Sequence, residues 1–184
     1  MKALDHFLQK WRIRKALPFV RTGDRLLDIG CHDRTLINQV LGRVTSATGV
    51  DLHLKPQEDE KVRLLRGNFP EDFDFEQGIF DCVSLLAVLE HVKDPELLAY
   101  QCHHVLSPGG RVVLTVPHPF VDQILEILMF LHLIDGMAAE EHHGFDTRST
   151  IPVFQKTGLT LLTHRRFQFG LNQLFVFEKP RAQS

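Results

Sequence analysis

The sequence predicts an α/β fold around a mostly parallel sheet, and two observations predict it. Short apolar runs at 25–30, 46–52, 62–66, 80–86 and 111–116 alternate with segments of helical period. Alternation of this kind sets parallel strands side by side with helices on both faces. The last two runs, 159–169 and 172–178, are separated only by Gly170 and Leu171. That gap is too short for a crossover, so the pair is an antiparallel hairpin.

Each element has a local reason. Leu4, Phe7, Leu8, Trp11 and Leu17 recur at near-helical spacing, and Pro18 closes that helix. A helix over about 35–42 follows the first strand. The polar stretch 55–61 opens on Lys55-Pro56 and reads as a loop or short helix. Asp94-Pro95-Glu96 is a helix start: an N-cap acid, proline at the first position, then an acid at the positive end. That helix reaches about 106, where Pro108-Gly109-Gly110 turns the chain into the fifth strand. Pro117 and Pro119 stop that strand. A very apolar helix (121–134), a His-rich loop (140–146) and a short helix (150–156) precede the hairpin. The tail from Pro180 is expected to fray.

Bulk properties narrow the class. The chain has 184 residues, so 1–184 is read as one domain with an N-terminal helix (1–22) and a late helix and loop (120–157). It is 43% hydrophobic, with a formal net charge of −2. That balance gives no general attraction to nucleic acid or to anionic membrane. Cys31, Cys82 and Cys102 are odd in number and irregularly spaced, as reduced thiols of a cytoplasmic protein are. The first ten residues lack the apolar core of a signal peptide, and no run of 18 apolar residues offers a membrane span.

In open α/β sheets, ligands bind beyond the carboxyl ends of the strands. After the first strand stands Asp28-Ile29-Gly30-Cys31, where glycine permits a sharp turn and close approach of backbone. Asp51 ends the second strand, placed to accept bonds from ribose hydroxyls. Asn68 and Phe69 follow the third: an amide for an adenine edge and a ring for its face. Leu86-Ala87-Val88-Leu89-Glu90-His91 follows the fourth.

These spacings resemble the class I S-adenosylmethionine-dependent methyltransferases of the type 11 subgroup. The resemblance covers about 26–119 and is most specific from Phe80-Asp81-Cys82, through Leu89-Glu90-His91-Val92, to Leu106-Ser107-Pro108-Gly109-Gly110. It implies a Rossmann-like sheet of seven strands in order 3-2-1-4-5-7-6, with the seventh antiparallel. It implies S-adenosylmethionine as methyl donor, leaving S-adenosylhomocysteine. Asp28 and Gly30 would lie along the methionine part, Asp51 at the ribose, Asn68 and Phe69 at the adenine, and Leu86 and Ala87 near the sulfonium. Cys31 and Leu52 adjoin them in the cofactor-binding set.

One departure stands in the first loop, which in the family continues G-x-G-x-G. This chain has His32 and Arg34 at the second and third glycine positions. A left-handed backbone at a non-glycine residue costs about 1–2 kcal/mol. Arg34 is read as a partner for the cofactor's carboxylate.

Methyl transfer asks for alignment of the acceptor, and for a base only where the acceptor is protonated. The candidate bases are His91, His118, His142 and His143, with His143 and His142 favoured and His91 the weaker choice. Glu140-Glu141-His142-His143 lacks the spacing that puts two imidazoles on one helical face, so no metal is expected. The acceptor is read as a small molecule or a lipid-linked one, and helix 121–134 as a core helix or pocket cover, an oligomer contact, or a surface for a lipid-like acceptor. Two other functions compete: a methyltransferase-fold partner or scaffold without catalysis, and a nicotinamide-dependent oxidoreductase. The latter would use G-x-G-x-x-G, which this chain lacks.

Overall fold

The computed structural model describes residues 3–118 and 146–181. Helix α1 (Ala3–Ala16) leads into a 3-10 turn that contains Pro18. Then follow β1 (Arg25–Ile29), α2 (Thr35–Val40), β2 (Ser46–Asp51), β3 (Gln57–Glu58), β4 (Val62–Arg66) and β5 (Phe80–Leu86). A 3-10 turn (Leu89–His91) precedes α3 (Pro95–Val105) and β6 (Leu106–Pro117). The chain closes with α4 (Thr150–Lys156), β7 (Thr160–Phe167) and β8 (Asn172–Glu178).

The strands form one sheet in the order β3-β4-β2-β1-β5-β6-β8-β7. Strands β4, β2, β1, β5 and β6 pair in parallel, while β8 is antiparallel to both neighbours. With β3 set aside, this is the expected order 3-2-1-4-5-7-6. The sheet has eight strands rather than seven. The stretch expected as loop or short helix contributes Gln57 and Glu58, which pair antiparallel with Leu64 and Arg63. Both residues are exposed, so backbone pairing alone makes this strand and no apolar period announces it.

The Pro108-Gly109-Gly110 turn is absorbed into β6 as a bulge. Pairing with β5 jumps from Phe80↔Leu106 to Cys82↔Arg111. Gly109 takes φ +80°, and its N–H donates to the Lys179 carbonyl at 2.8 Å.

Alternation along the strands feeds two cores. Leu26 packs on the face that holds Ile13 and Ala16 of α1 and Leu36, Ile37 and Val40 of α2. Its neighbour Leu27 packs on the opposite face, with Leu98 and Cys102 of α3 and Phe154 of α4. Helix α3 starts as expected: Asp94 Oδ1 accepts the Leu97 N–H at 2.9 Å. Two ion pairs fix the amino ends of the central strands. Arg111 meets Asp24 in a fully buried contact and also donates to the Phe19 carbonyl. Arg25 grips Asp81 with two side-chain bonds of 2.8 and 3.0 Å.

Candidate cofactor site at the carboxyl edge of the sheet

Connections from β1 run to β2 on one side, while β5 lies on the other. The crevice above β1 is therefore the topological switch point, where ligands bind in such sheets. Asp28, Gly30, Asp51, Asn68, Leu86 and Ala87 all emerge along this edge, from the ends of four adjacent strands.

Asp28 is buried at 3% exposure, in register with Ser84 of β5. The Ser84 hydroxyl donates to its Oδ1 at 2.6 Å. Burial pushes the Asp28 carboxyl up to about 7, against the pull of Ser84, and the nearby Asp51 and Asp33 carboxylates raise it further.

Gly30 has φ +68°, and a Cβ there would lie 2.5 Å from Val88 Cγ2. Its N–H donates to the Val50 carbonyl at 2.8 Å. The next turns are left-handed without glycine: His32 has φ +45° and Arg34 φ +54°. This is the conformation whose penalty the sequence reading named. Four hydrogen bonds offset it. The His32 N–H donates to Asp51 Oδ2 at 2.9 Å, the Arg34 N–H donates to the Cys31 carbonyl at 2.7 Å, and Asp33 Oδ1 accepts both the Thr35 N–H and the Gln9 amide of α1. The Arg34 guanidinium turns outward and donates to Gln57 Oε1 of β3 at 3.0 Å. Cys31 is buried under the loop, and desolvation pushes its thiol pKa up, so it packs rather than reacts.

Asp51 is oriented by backbone. Its Oδ2 accepts from His32 and its Oδ1 from the His53 N–H at 2.9 Å. Each carboxylate oxygen has a second lone pair to offer. A half-buried carboxylate at a β2 terminus, held by two fixed donors, suits a vicinal diol. Leu52 beside it is exposed.

Beyond β4, Gly67 lets Asp72 approach, since a Cβ there would lie 2.9 Å from Asp72 Oδ2. That oxygen accepts the Asn68 N–H at 2.8 Å and fixes the exposed Asn68 at the rim. Phe69 points inward. It is 6% exposed and stacks on Phe75, which also contacts Phe73 and Phe80. The ring thus supports the floor of this corner rather than standing free in it.

Leu86, Ala87 and Val88 are half-buried along the β5 end. Ala87 takes φ +60°, and its N–H donates to the Thr115 carbonyl at 3.0 Å. His91 is exposed in the 3-10 turn that follows. His118 follows β6 and donates its N–H to the Leu171 carbonyl at 2.9 Å. His142, His143 and helix 121–134 lie outside the described residues. Among the described residues, no group of three or more His, Cys, Asp and Glu side chains is placed to hold a metal ion. No described helix is long and apolar enough to cross a membrane.

Sequence reading missed Ser84, Asp72, Val88 and Gln9. Ser84 alone gave a signal, as a hydroxyl inside the apolar run 80–86. Val88 and Gln9 act through long-range contacts, to Gly30 and Asp33, that no local pattern encodes, whereas Asp72 reaches Asn68 only four residues away.

Comparison with known proteins agrees with this geometry. The methyltransferase domain family matches residues 2–164. A ubiquinone biosynthesis O-methyltransferase of Pseudomonas aeruginosa is 34% identical over 102 residues, covering 50% of this chain and 44% of that protein. The chain thus spans less than half the length of the curated relatives it matches. An S-adenosylmethionine-dependent methyltransferase from Mesorhizobium loti superposes with a TM-score of 0.71 at 19% identity, over 91% of this chain and 95% of that one. A 1,6-didemethyltoxoflavin-N1-methyltransferase from Burkholderia thailandensis, solved with bound 1,6-didemethyltoxoflavin and S-adenosylhomocysteine, superposes with a TM-score of 0.70 at 19% identity, over 96% of this chain and 81% of that one. The chain belongs to the methyltransferase domain family, with the class I S-adenosylmethionine-dependent methyltransferase fold.

Proposed function

We propose that this protein transfers a methyl group from S-adenosylmethionine to a small-molecule acceptor. The observation that carries the reading is Asp51, an acid at the β2 terminus whose two oxygens are aimed by the His32 and His53 N–H groups. The residues fit the cofactor by the chemistry of their donors and acceptors. Asp51 would hold the ribose hydroxyls, Asn68 the adenine edge, and Asp28 with the Gly30 backbone the methionine part. The half-buried Leu86, Ala87 and Val88 would exclude water beside the sulfonium.

When bound, the cofactor supplies an already activated methyl group. The protein then has to orient the acceptor and keep water out, which lowers the barrier through lost freedom of the reactants. Where the acceptor is a hydroxyl, a histidine near neutral pH takes its proton. His91 and His118 stand at this edge of the sheet, and His142 and His143 remain candidates. The names of the curated relatives favour oxygen as the methylated atom. A lipid-linked acceptor falls within the same reading. Incubation with methyl-labelled S-adenosylmethionine and a panel of phenols and amines tests it. Label transferred to a phenol supports O-methylation, and transfer only to amines contradicts that choice.

A second reading has one observation in its favour. His32 and Arg34 are left-handed without glycine, and the His32 N–H already occupies one Asp51 lone pair. A chain that folds this way yet takes up no S-adenosylmethionine would be a non-catalytic partner or scaffold.

A further inference from the structure

Helix α1 presents an unusual outer stripe. Phe7, Lys10, Trp11 and Arg14 recur at i, i+3, i+4 and i+7, which places them on one face. Phe7 is 56% exposed, and Lys10 and Arg14 are exposed. The inner face carries Ile13 and Ala16, both buried.

The tip of the β7–β8 hairpin joins this stripe. The Gln168 amide donates to the Leu8 carbonyl of α1 at 2.9 Å and ties the hairpin to the helix. Phe169 next to it is 94% exposed. Trp11 stands between the two phenylalanines, edge to face, with ring centroids 5.6 Å from Phe7 and 5.9 Å from Phe169. Gln168 and Phe169 both take left-handed backbone, at φ +51° and +57°. Two such residues in succession are disfavoured, because Cβ crowds the following carbonyl oxygen. The fold therefore displays the Phe169 ring at an energetic cost, and strain of this sort collects where a surface has a task. Arg165 and Arg166, both exposed near the end of β7, bring two more cations to the hairpin.

We propose that Phe7, Trp11 and Phe169, flanked by Lys10 and Arg14, form a docking surface for an anionic lipid bilayer. Aromatic rings sit at the headgroup level of a bilayer, and basic residues beside them meet its negative surface. Charge complementarity selects this partner despite the overall net charge of −2, because the described charges on the stripe itself are positive. The exposed Asp33 near the helix is engaged by the Gln9 amide and the Thr35 N–H. Single-stranded nucleic acid is the other occupant such chemistry suggests. It stacks on open ring faces, whereas Trp11 is locked at interplanar angles of 67° and 83° to its neighbours. The surface lies at the carboxyl edge of the sheet, since Asn172 pairs with Pro117 at the end of β6. Docking would therefore turn the candidate site towards the membrane. The proposal does not depend on methyl transfer.

Trp11 is the only tryptophan in the chain and reports directly. The full chain is mixed with vesicles of phosphatidylcholine, and with vesicles of phosphatidylcholine and phosphatidylglycerol in roughly equal parts. The expected result is co-sedimentation and a blue shift of Trp11 emission with the anionic vesicles only. Lys10→Glu with Arg14→Glu lowers the partition coefficient roughly thirtyfold or more, from about 1 kcal/mol per basic residue near an anionic surface. Phe169→Ser lowers it independently of salt. Circular dichroism shows these exposed-site variants folded. Absence of sedimentation and shift with both vesicles overturns the proposal, as does Trp11 quenching by an oligonucleotide without vesicle binding. S-adenosylmethionine titration of the same variants separates this failure from failure of the cofactor reading.

Discussion

Ser84 Oγ donates to Asp28 Oδ1 across 2.6 Å, and the two residues face each other in register on β5 and β1. The bond holds a buried acid at the floor of the candidate site. Its chemistry gives a pH signature.

Burial holds the Asp28 carboxyl at about 7, above its ordinary 3.8. The unfolded chain therefore loses this proton first, and between those values the folded state binds more protons. Asp28 thus contributes stability below about pH 4 that is lost as pH rises through about 7. The loss is of the order of 4 kcal/mol at most. Urea unfolding at pH 5 and pH 8 should show a smaller difference in Asp28→Asn than in the parent. Equal differences in both proteins contradict the assignment.

Arg25 and Asp81 tie the start of β1 to β5, and Ser107 adds a 2.7 Å bond to Asp81 from the β6 bulge. The Arg25 side-chain bonds pull the Asp81 carboxyl down to about 2. This stability is present above about pH 4 and is lost as pH falls through about 2. The pair is partly exposed, so Asp81→Asn should cost only about 1 kcal/mol at neutral pH. The unfolding midpoint at pH 7 and at pH 2.5 checks this, with the gap closing at the lower pH.

Asp24 and Arg111 are a different case, because both side chains are under 10% exposed. Asp24→Ala leaves a guanidinium buried without its charge partner, at about 3–5 kcal/mol. Asp24 also accepts the Arg21 N–H at 2.7 Å, so the loop before β1 loosens with it. Denaturant unfolding measures the loss, and one below 1 kcal/mol would contradict burial of the pair.

Gly30 and Val88 leave no room for a methyl group between them. Gly30→Ala should destabilise the protein by at least about 1–2 kcal/mol, from its left-handed φ alone. Adding Val88→Ala should relieve the steric part and leave the backbone part. A double-mutant cycle reads this as favourable coupling, and strict additivity would contradict the contact.

Much of this was legible in the sequence. Apolar runs and turn residues located the strands, and the resemblance supplied their order, because neighbours in space such as β1 and β5 are separated in sequence. Strand β3 escaped notice because Gln57 and Glu58 pair by backbone and show no period. Strand ends placed Asp28, Asp51 and Asn68 along one edge, since backbone position follows from the alternation. Side-chain direction did not follow. Phe69 turns into a cluster with Phe73, Phe75 and Phe80, and Arg34 turns to Gln57. Such directions are set by tertiary packing, which local spacing does not encode.

Calorimetric titration with S-adenosylmethionine and S-adenosylhomocysteine tests whether this edge of the sheet is a cofactor site. The parent protein should bind, with a loss of roughly a hundredfold in Asp51→Ala, as removal of charge-assisted bonds to two hydroxyls implies. Asp51→Asn, which keeps one acceptor oxygen, should lose less. No binding by the folded parent at millimolar ligand, or full affinity in Asp51→Ala, would contradict it.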